Sequence, residues 1–151
     1  MATSTAPRKA LGIVHPTLSP DGSRIAFAAL GDLYVMSSKG GVPENLTKDG
    51  ALDTDPAWSP DGSQLAVTLS RDGGSQLFLM GRDGGNLRRI TNTMAIDTEP
   101  AFSPDGRTLY FVSDRGGAPQ IYKVPASGGS AERVTFTGNY NISPSVSPDG
   151  K

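Results

Sequence analysis

The sequence contains no cysteine and only one histidine, His15. The absence of cysteine excludes disulfides and thiolate metal ligands, and any imidazole-dependent site would have to use His15 alone. No Gly-x-Ser-x-Gly motif is present, so the nucleophile elbow of a hydrolase is also missing. We therefore predict a non-enzymatic chain with no cofactor and no metal site. His15 precedes Pro16 and is interpreted first as a strand-entry residue, with proton transfer or ligand binding as the alternative.

Long apolar runs are also missing. No stretch approaches the roughly 20 residues of a membrane helix, and the opening "MATSTAPRKALG" has no apolar segment of a signal peptide. The formal net charge of −1 lacks the basic excess of a nucleic-acid binder. We expect neither membrane insertion nor a nucleic-acid partner, and we predict that residues 1–10, which are small, polar and basic, are disordered.

One tetrapeptide, Ser-Pro-Asp-Gly, occurs four times, and successive copies start 40, 44 and 44 residues apart. The copies are Ser19–Gly22, Ser59–Gly62, Ser103–Gly106 and Ser147–Gly150. Proline fixes φ, aspartate can bond its own backbone and glycine tolerates positive φ, so each copy is predicted to be a tight turn. Turn capping by these aspartates is favoured over calcium binding, because each is isolated by a full repeat and a calcium loop needs several converging oxygens.

Each repeat contains four short segments that favour β-strands. In the first repeat these are the segment ending at Leu18, "RIAFAA", "DLYVM" and "ENLT", separated by glycine-containing turns. No segment of twelve residues shows a helical period. The aromatic column Tyr34, Phe78 and Tyr122 is predicted to pack between repeats, and Trp58, on an inner strand, is predicted to be mostly buried. The fold class is therefore all-β.

A four-stranded unit repeated every ~40 to 45 residues is typical of a β-propeller blade. We predict a partial propeller over residues 11–151, with blades at 14–47, 54–91 and 98–135 and one extra inner strand at 143–147. Because propellers close with about four to eight blades, this ring is incomplete. The open arc would expose apolar faces on its first and last blades, so we expect self-association or poor solubility.

The repeat resembles that of a known family. The pattern Pro-x-aromatic-Ser-Pro-Asp-Gly, with "TLYFVSDRGG", "QIYKV" and "RVT", resembles the TolB-like, WD-related β-propeller repeat. This resemblance implies a non-catalytic, periplasmic or secreted bacterial scaffold that binds other proteins. The resemblance covers the propeller repeats and not the helical N-terminal domain that this family carries before them, so we do not expect a partner's identity to transfer.

Residues 11–62 are also similar to propeller segments that precede amidohydrolase-like domains in secreted bacterial proteins. This second resemblance implies a different role, that of an accessory or gating propeller of a larger hydrolase, amidohydrolase-like or prolyl-oligopeptidase-like, whose catalytic domain this chain lacks. Fold alone does not decide between the two roles.

Acidic residues recur immediately before each inner strand, in "DTDP" and "DTEP", at the places where "IVHP" and "NISP" stand in other repeats. Inner strands of a propeller line its channel, so these residues are expected to gather at one mouth. They are either local turn caps or an acidic mouth that attracts cationic groups on a ligand or partner. The candidate binding residues are Asp53, Asp55, Asp97, Glu99, His15 and Asn141.

Overall fold

The computed structural model describes residues 12–49, 51–71 and 73–151, so the predicted disorder of residues 1–10 lies outside the described residues. The described part is all-β and consists of three four-stranded antiparallel sheets. None of its residues belongs to a helix that could cross a membrane. The three sheets match the three predicted blades.

The strands follow chain order from the innermost to the outermost position of each sheet. The first sheet contains β1 (Val14–Leu18), β2 (Arg24–Ala29), β3 (Asp32–Ser37) and β4 (Glu44–Asn45). The second contains β5 (Asp53–Trp58), β6 (Gln64–Arg71), β7 (Gly74–Gly81) and β8 (Arg88–Arg89). The third contains β9 (Asp97–Phe102), β10 (Thr108–Ser113), β11 (Gln120–Pro125) and β12 (Glu132–Arg133).

All four tetrapeptides form the predicted turn, and the first three connect an inner strand to the next strand. In the second sheet the Asp61 carboxylate accepts hydrogen bonds from the Ser59 hydroxyl at 2.7 Å and from the Ser63 backbone N–H at 3.0 Å. Gly62 has a φ of 73°, a conformation that glycine adopts at no steric cost. These hydrogen bonds lower the pKa of Asp61 to about 2, and the bond from Ser59 makes the largest contribution.

The first core cluster lies between the first and second sheets, where β5 contacts β1, β2 and β3. Trp58 is 8% exposed in this cluster, which confirms its predicted burial, and its indole N–H donates to the Thr17 carbonyl at 3.1 Å. Burial of a tryptophan is favourable when its polar N–H finds such a partner. Trp58 therefore fastens the second sheet to the first.

The aromatic column divides according to whether a further sheet covers it. Phe78 and Tyr122 belong to the two clusters between sheets, as predicted. Tyr34 instead stacks on Phe27 of its own sheet, with ring centroids 5.7 Å apart. Along a strand successive side chains point to opposite faces, and the neighbouring Leu33 and Val35 are the ones that face the second sheet.

Every inner strand has an irregularity that positions the candidate site. The pairing of β1, β5 and β9 with the adjacent strand shifts register at a bulge. His15, Asp55 and Glu99 lie at these bulges with φ of 52°, 54° and 54°, and Ser143 has 55° at the same place in the fourth repeat. The fourth segment keeps this conformation, although residues 143–147 form no strand ladder with the described residues.

Candidate binding site at the channel mouth

The four bulge positions converge on one open pocket of about 520 Å³. It is lined by His15, Asp55, Glu99 and Ser143, together with Thr17 and the prolines that follow the four bulge residues. We call this pocket the channel mouth. It exists because the same position of four successive repeats is brought to one side of the arc.

The acids of the channel mouth also link successive repeats. Asp55 contacts His15 Nδ1, and its Oδ2 accepts the backbone N–H of Glu99 at 3.3 Å. Glu99 in turn accepts the backbone N–H of Ser143 at 2.5 Å. These contacts cross from one repeat to the next, and Asp55 also accepts the Thr68 hydroxyl of its own sheet at 3.3 Å.

The second level of candidate residues does not reach the channel mouth. Asp53 and Asp97 are 1% and 0% exposed. Asp53 is paired with Arg71, the last residue of β6, and Asp97 with Arg115, in the turn that follows β10. Residues two apart on a regular strand share a face, but the bulges at Asp55 and Glu99 interrupt that alternation. The expected four carboxylates at the opening are therefore corrected to two, Asp55 and Glu99.

Asn141, the counterpart of Asp53 and Asp97 in the fourth repeat, also lies behind the mouth. Its side-chain amide donates to Gln120 Oε1 at 2.8 Å and to the Thr137 carbonyl at 2.9 Å. The six candidate residues thus separate into a mouth group of His15, Asp55 and Glu99 and a structural group of Asp53, Asp97 and Asn141.

A buried glutamine fixes the loop that leads from the second sheet to the third. Gln76 Nε2 donates to the carbonyls of Thr93 and Ala95 at 2.9 and 2.7 Å, and its Oε1 accepts the Thr93 N–H at 3.1 Å. We call this region, with Asp97 and Arg115, the second junction. Gln120 occupies the same place in the third sheet and donates to the Gly138 carbonyl at 3.0 Å.

The equivalent place in the first sheet, 44 residues before Gln76, holds Asp32. One carboxylate oxygen from each of Asp32, Asp49 and Asp53 lies within 4.8 Å of the others. We call this cluster, with Arg71, the first junction. Burial raises the pKa of Asp53, against the opposing effects of Arg71 and Thr47.

The junction arginines and this acidic cluster were not predicted from the sequence. The signal was available in the repeat, because Arg71 and Arg115 are 44 residues apart and pair with aspartates that have the same spacing. Asp32 and Asp49 stand where the next repeat has Gln76 and Thr93. A position that departs from the repeat in this way indicates that its side chain has different hydrogen-bond partners in that repeat.

Comparison with known families gives a direct match. The profile described as "TolB beta propeller domain" matches residues 9–86 and 55–151, which together span nearly the whole chain. The crystal structure of TolB from Acinetobacter baumannii superposes with a TM-score of 0.84 at 35% identity, covering 93% of this chain and 36% of that one.

Two curated relatives match shorter stretches. The Tol-Pal system protein TolB of Alcanivorax borkumensis is 41% identical over 66 residues, which is 40% of this chain and 15% of that protein. The uncharacterized peptidase YuxL of Bacillus subtilis is 37% identical over 67 residues, which is 41% of this chain and 10% of that protein. The chain thus corresponds to a small part of each relative.

Proposed function

Because this chain belongs to the TolB β-propeller domain family, we propose that it is a non-catalytic propeller segment that binds a protein partner through its channel mouth. The observation that carries this proposal is the convergence of Asp55 and Glu99 on one open pocket of about 520 Å³. Two carboxylates at the rim of a concavity attract positive charge, since low-dielectric walls focus the field. The partner we propose is a protein that presents a lysine- or arginine-containing segment to this pocket.

The test is a titration of a fluorescently labelled, lysine-rich peptide with the protein. Binding is measured by fluorescence anisotropy, once at low and once at high salt. We expect the double variant Asp55→Asn, Glu99→Gln to bind the peptide more weakly and with a smaller salt dependence, because exposed charge attraction is screened by salt. Amides keep the size of the side chains, although they accept the cross-repeat N–H bonds less strongly, so circular dichroism should be recorded beside the titration.

The double variant Glu44→Gln, Glu132→Gln is the matched control. Glu44 and Glu132 are exposed on the outermost strands of the first and third sheets, so this variant removes two negative charges away from the channel mouth, as many as the mouth variant removes. It should leave peptide binding unchanged. Equal weakening by the control and the mouth variant would show that net charge, and not the pocket, drives the binding, and the proposal would fail.

We further propose that isolated copies of the chain associate through their terminal sheets. Exposed apolar side chains lie on or beside the first sheet, at Ile13, Val14, Leu18 and Leu30, and beyond the third, at Phe136, Tyr140 and Ile142. Such patches favour contact between copies. Sedimentation velocity should show a concentration-dependent mass, and a monomer at every concentration would contradict this proposal.

The family resemblance also supports a cell-envelope location, periplasmic or secreted, as part of this proposal. Two of the relatives described above carry the name TolB, one of them as a Tol-Pal system protein. Fractionation of cells that express the gene, with detection of the protein in the periplasmic or secreted fraction, tests this location.

The second candidate function is an accessory propeller of a hydrolase, and the similarity to YuxL favours it. In that role the propeller would shield or gate a catalytic domain carried by the same gene. The reading frame around the coding region of this chain distinguishes the two functions. A hydrolase domain after Lys151 would support the accessory role, whereas further repeats followed by a stop codon would support the protein-binding role.

A further inference from the structure

The first junction contains a buried carboxylate oxygen that has no hydrogen-bond partner. Asp53 is 1% exposed, and its Oδ2 is the one buried side-chain polar atom without a partner in the described residues. Leaving a buried charged acceptor unpaired is costly, and native proteins usually resolve such an atom with a water or an ion. This oxygen is therefore available to bind a cation.

Comparison with the second junction shows how the oxygen loses its partner. Arg115 NH2 reaches both Asp97 oxygens, at 3.1 and 3.0 Å. The guanidinium of Arg71 instead contacts two different aspartates: its NH1 donates to Asp53 Oδ1 at 2.9 Å, and its NH2 contacts Asp49. Arg71 thus contacts two of the three carboxylates, and Asp32, Asp49, Asp53 and Arg71 together have a formal charge of −2 when all three acids are ionised.

Oxygen ligands besides carboxylates are also at hand. The Thr47 hydroxyl lies 3.3 Å from Asp32 Oδ1. The Ala51 carbonyl lies beside Gly31, so close that a Cβ on Gly31 would be 3.2 Å from this oxygen. Ala51 corresponds to Ala95, whose carbonyl receives an N–H bond from Gln76 in the second junction. The carboxylate of Asp32 has no N–H group, so it cannot donate the hydrogen bond that the Gln76 side chain gives to the Ala95 carbonyl.

We propose that Asp32, Asp49 and Asp53 bind a calcium ion, which replaces the Gln76 amide as the group that holds the loop between two sheets. Calcium prefers carboxylate, carbonyl and hydroxyl oxygens and tolerates irregular geometry. Magnesium demands a near-ideal octahedron and retains its waters, so it fits this half-buried cluster less well. The site is separate from the channel mouth and does not depend on the function proposed for it.

The test uses the full 151-residue chain after removal of bound metal. CaCl2 or MgCl2 is added in steps, and the melting temperature and the heat of binding are measured at each step. We expect calcium to raise the melting temperature, because a ligand that binds only the folded state stabilises it. Magnesium should have a smaller effect. No calcium response up to about 10 mM, a concentration above the range of weak protein sites, would overturn the proposal, and a response to magnesium alone would overturn the choice of calcium.

The decisive variant is Asp32→Gln. The second and third sheets carry glutamine at this position, so the variant should fold, and in metal-free buffer it should melt above the wild-type chain. We expect it to lose the rise in melting temperature that calcium produces. Retention of the full calcium response by Asp32→Gln would contradict the site.

The double variant Asp55→Asn, Glu99→Gln is the matched control, because it removes acids from the channel mouth and leaves the first junction intact. It should keep the calcium response even if it loses peptide binding. If the mouth variant loses the calcium response and Asp32→Gln keeps it, the ion binds at the mouth and the proposal is wrong.

Terbium luminescence gives a readout of position. The Tyr34 hydroxyl lies 3.3 Å from Asn45 Nδ2, which donates to Asp32 Oδ2 at 2.8 Å. A terbium ion bound at the cluster is thus near enough to the Tyr34 ring to be sensitised by it. Tyr34→Phe should lower the terbium emission and keep the calcium response, whereas unchanged emission would place the ion elsewhere and overturn the proposal.

Discussion

The first and second junctions have the same backbone plan and different chemistry. In both, an aspartate at the start of an inner strand is buried and paired with an arginine. The second junction closes its loop with the amide of Gln76, which donates and accepts within one side chain. The first junction has Asp32 and Asp49 instead, and one buried oxygen remains unpaired.

The difference shows that a repeat can preserve its geometry while the means of satisfying its polar groups changes. A neutral amide completes the hydrogen bonding of the second junction without any additional group. A set of acids requires positive charge beyond that of Arg71, and it therefore makes the first junction dependent on its ionic surroundings. Three predictions test how far the two junctions differ.

The largest expected effect concerns the aromatic residue at the far end of the inner strand that begins at each junction. Trp58→Ala should lower the free energy of unfolding by about 3 to 5 kcal/mol, the usual cost of removing a buried large side chain. Phe102, its counterpart 44 residues later, is only partly buried. Phe102→Ala should therefore cost less. Urea denaturation of the two variants measures both values, and a loss below about 1 kcal/mol for Trp58→Ala would contradict its role in fastening the sheets.

An intermediate effect is expected at the amide of the second junction. Gln76→Glu keeps the size of the side chain but removes the N–H groups that bind the Thr93 and Ala95 carbonyls. We expect it to cost on the order of 1 to 3 kcal/mol, because residue 76 is fully buried and its side chain loses the donors that the two carbonyls accept. Denaturation midpoints give the value, with Gln64→Glu, a half-buried position on β6, as the comparison. A neutral Gln76→Glu would show that the loop is held by other contacts.

The smallest effect concerns the tetrapeptide turns, which lie at the opposite end of the inner strands from the junctions and have the same serine-to-aspartate hydrogen bond in both sheets. The pKa of Asp61 is lowered from 3.8 to about 2, so its folded form binds the proton more weakly than the unfolded chain does. Its contribution to stability is complete above pH ~4 and is lost as the pH falls toward about 2. For this exposed group we expect less than about 1 kcal/mol.

Unfolding free energies of the wild-type chain and Asp61→Asn, measured between neutral pH and pH 2, check this prediction. The difference between the two should shrink as the solution is acidified. Asp53 acts in the opposite sense, because burial raises its pKa and the folded form then gains the proton first. A pH-independent difference would contradict the proposed role of the Asp61 hydrogen bonds.

The sequence was sufficient to predict the three sheets, their strand order and the tetrapeptide turns. These features follow from local chemistry, because proline, aspartate and glycine at fixed spacing define a turn and short β-favouring segments define the strands between them. The burial of Trp58 was equally predictable, since it stands at the aromatic position of an inner strand. A repeat makes each such inference three times over.

The candidate site was predicted less completely, and the reason lies in the inner-strand bulges. Asp53 and Asp55 are two residues apart in the sequence. No neighbouring residue indicates that Asp55 lines the mouth and that Asp53 pairs with Arg71. The role of Asp55 in binding the Glu99 N–H also depends on a residue 44 positions away. Contacts between repeats are set by how the sheets pack, which no single segment encodes.

By itself, then, the sequence determined the all-β repeat, the turns and the recurrence of acids at the start of the second and third inner strands. Only the tertiary structure decided which acids face the mouth, which are buried against arginine and which gather in the first junction. The physical reason is that backbone conformation follows from neighbouring residues, whereas the partner of a charged group depends on residues that packing brings together from different sheets.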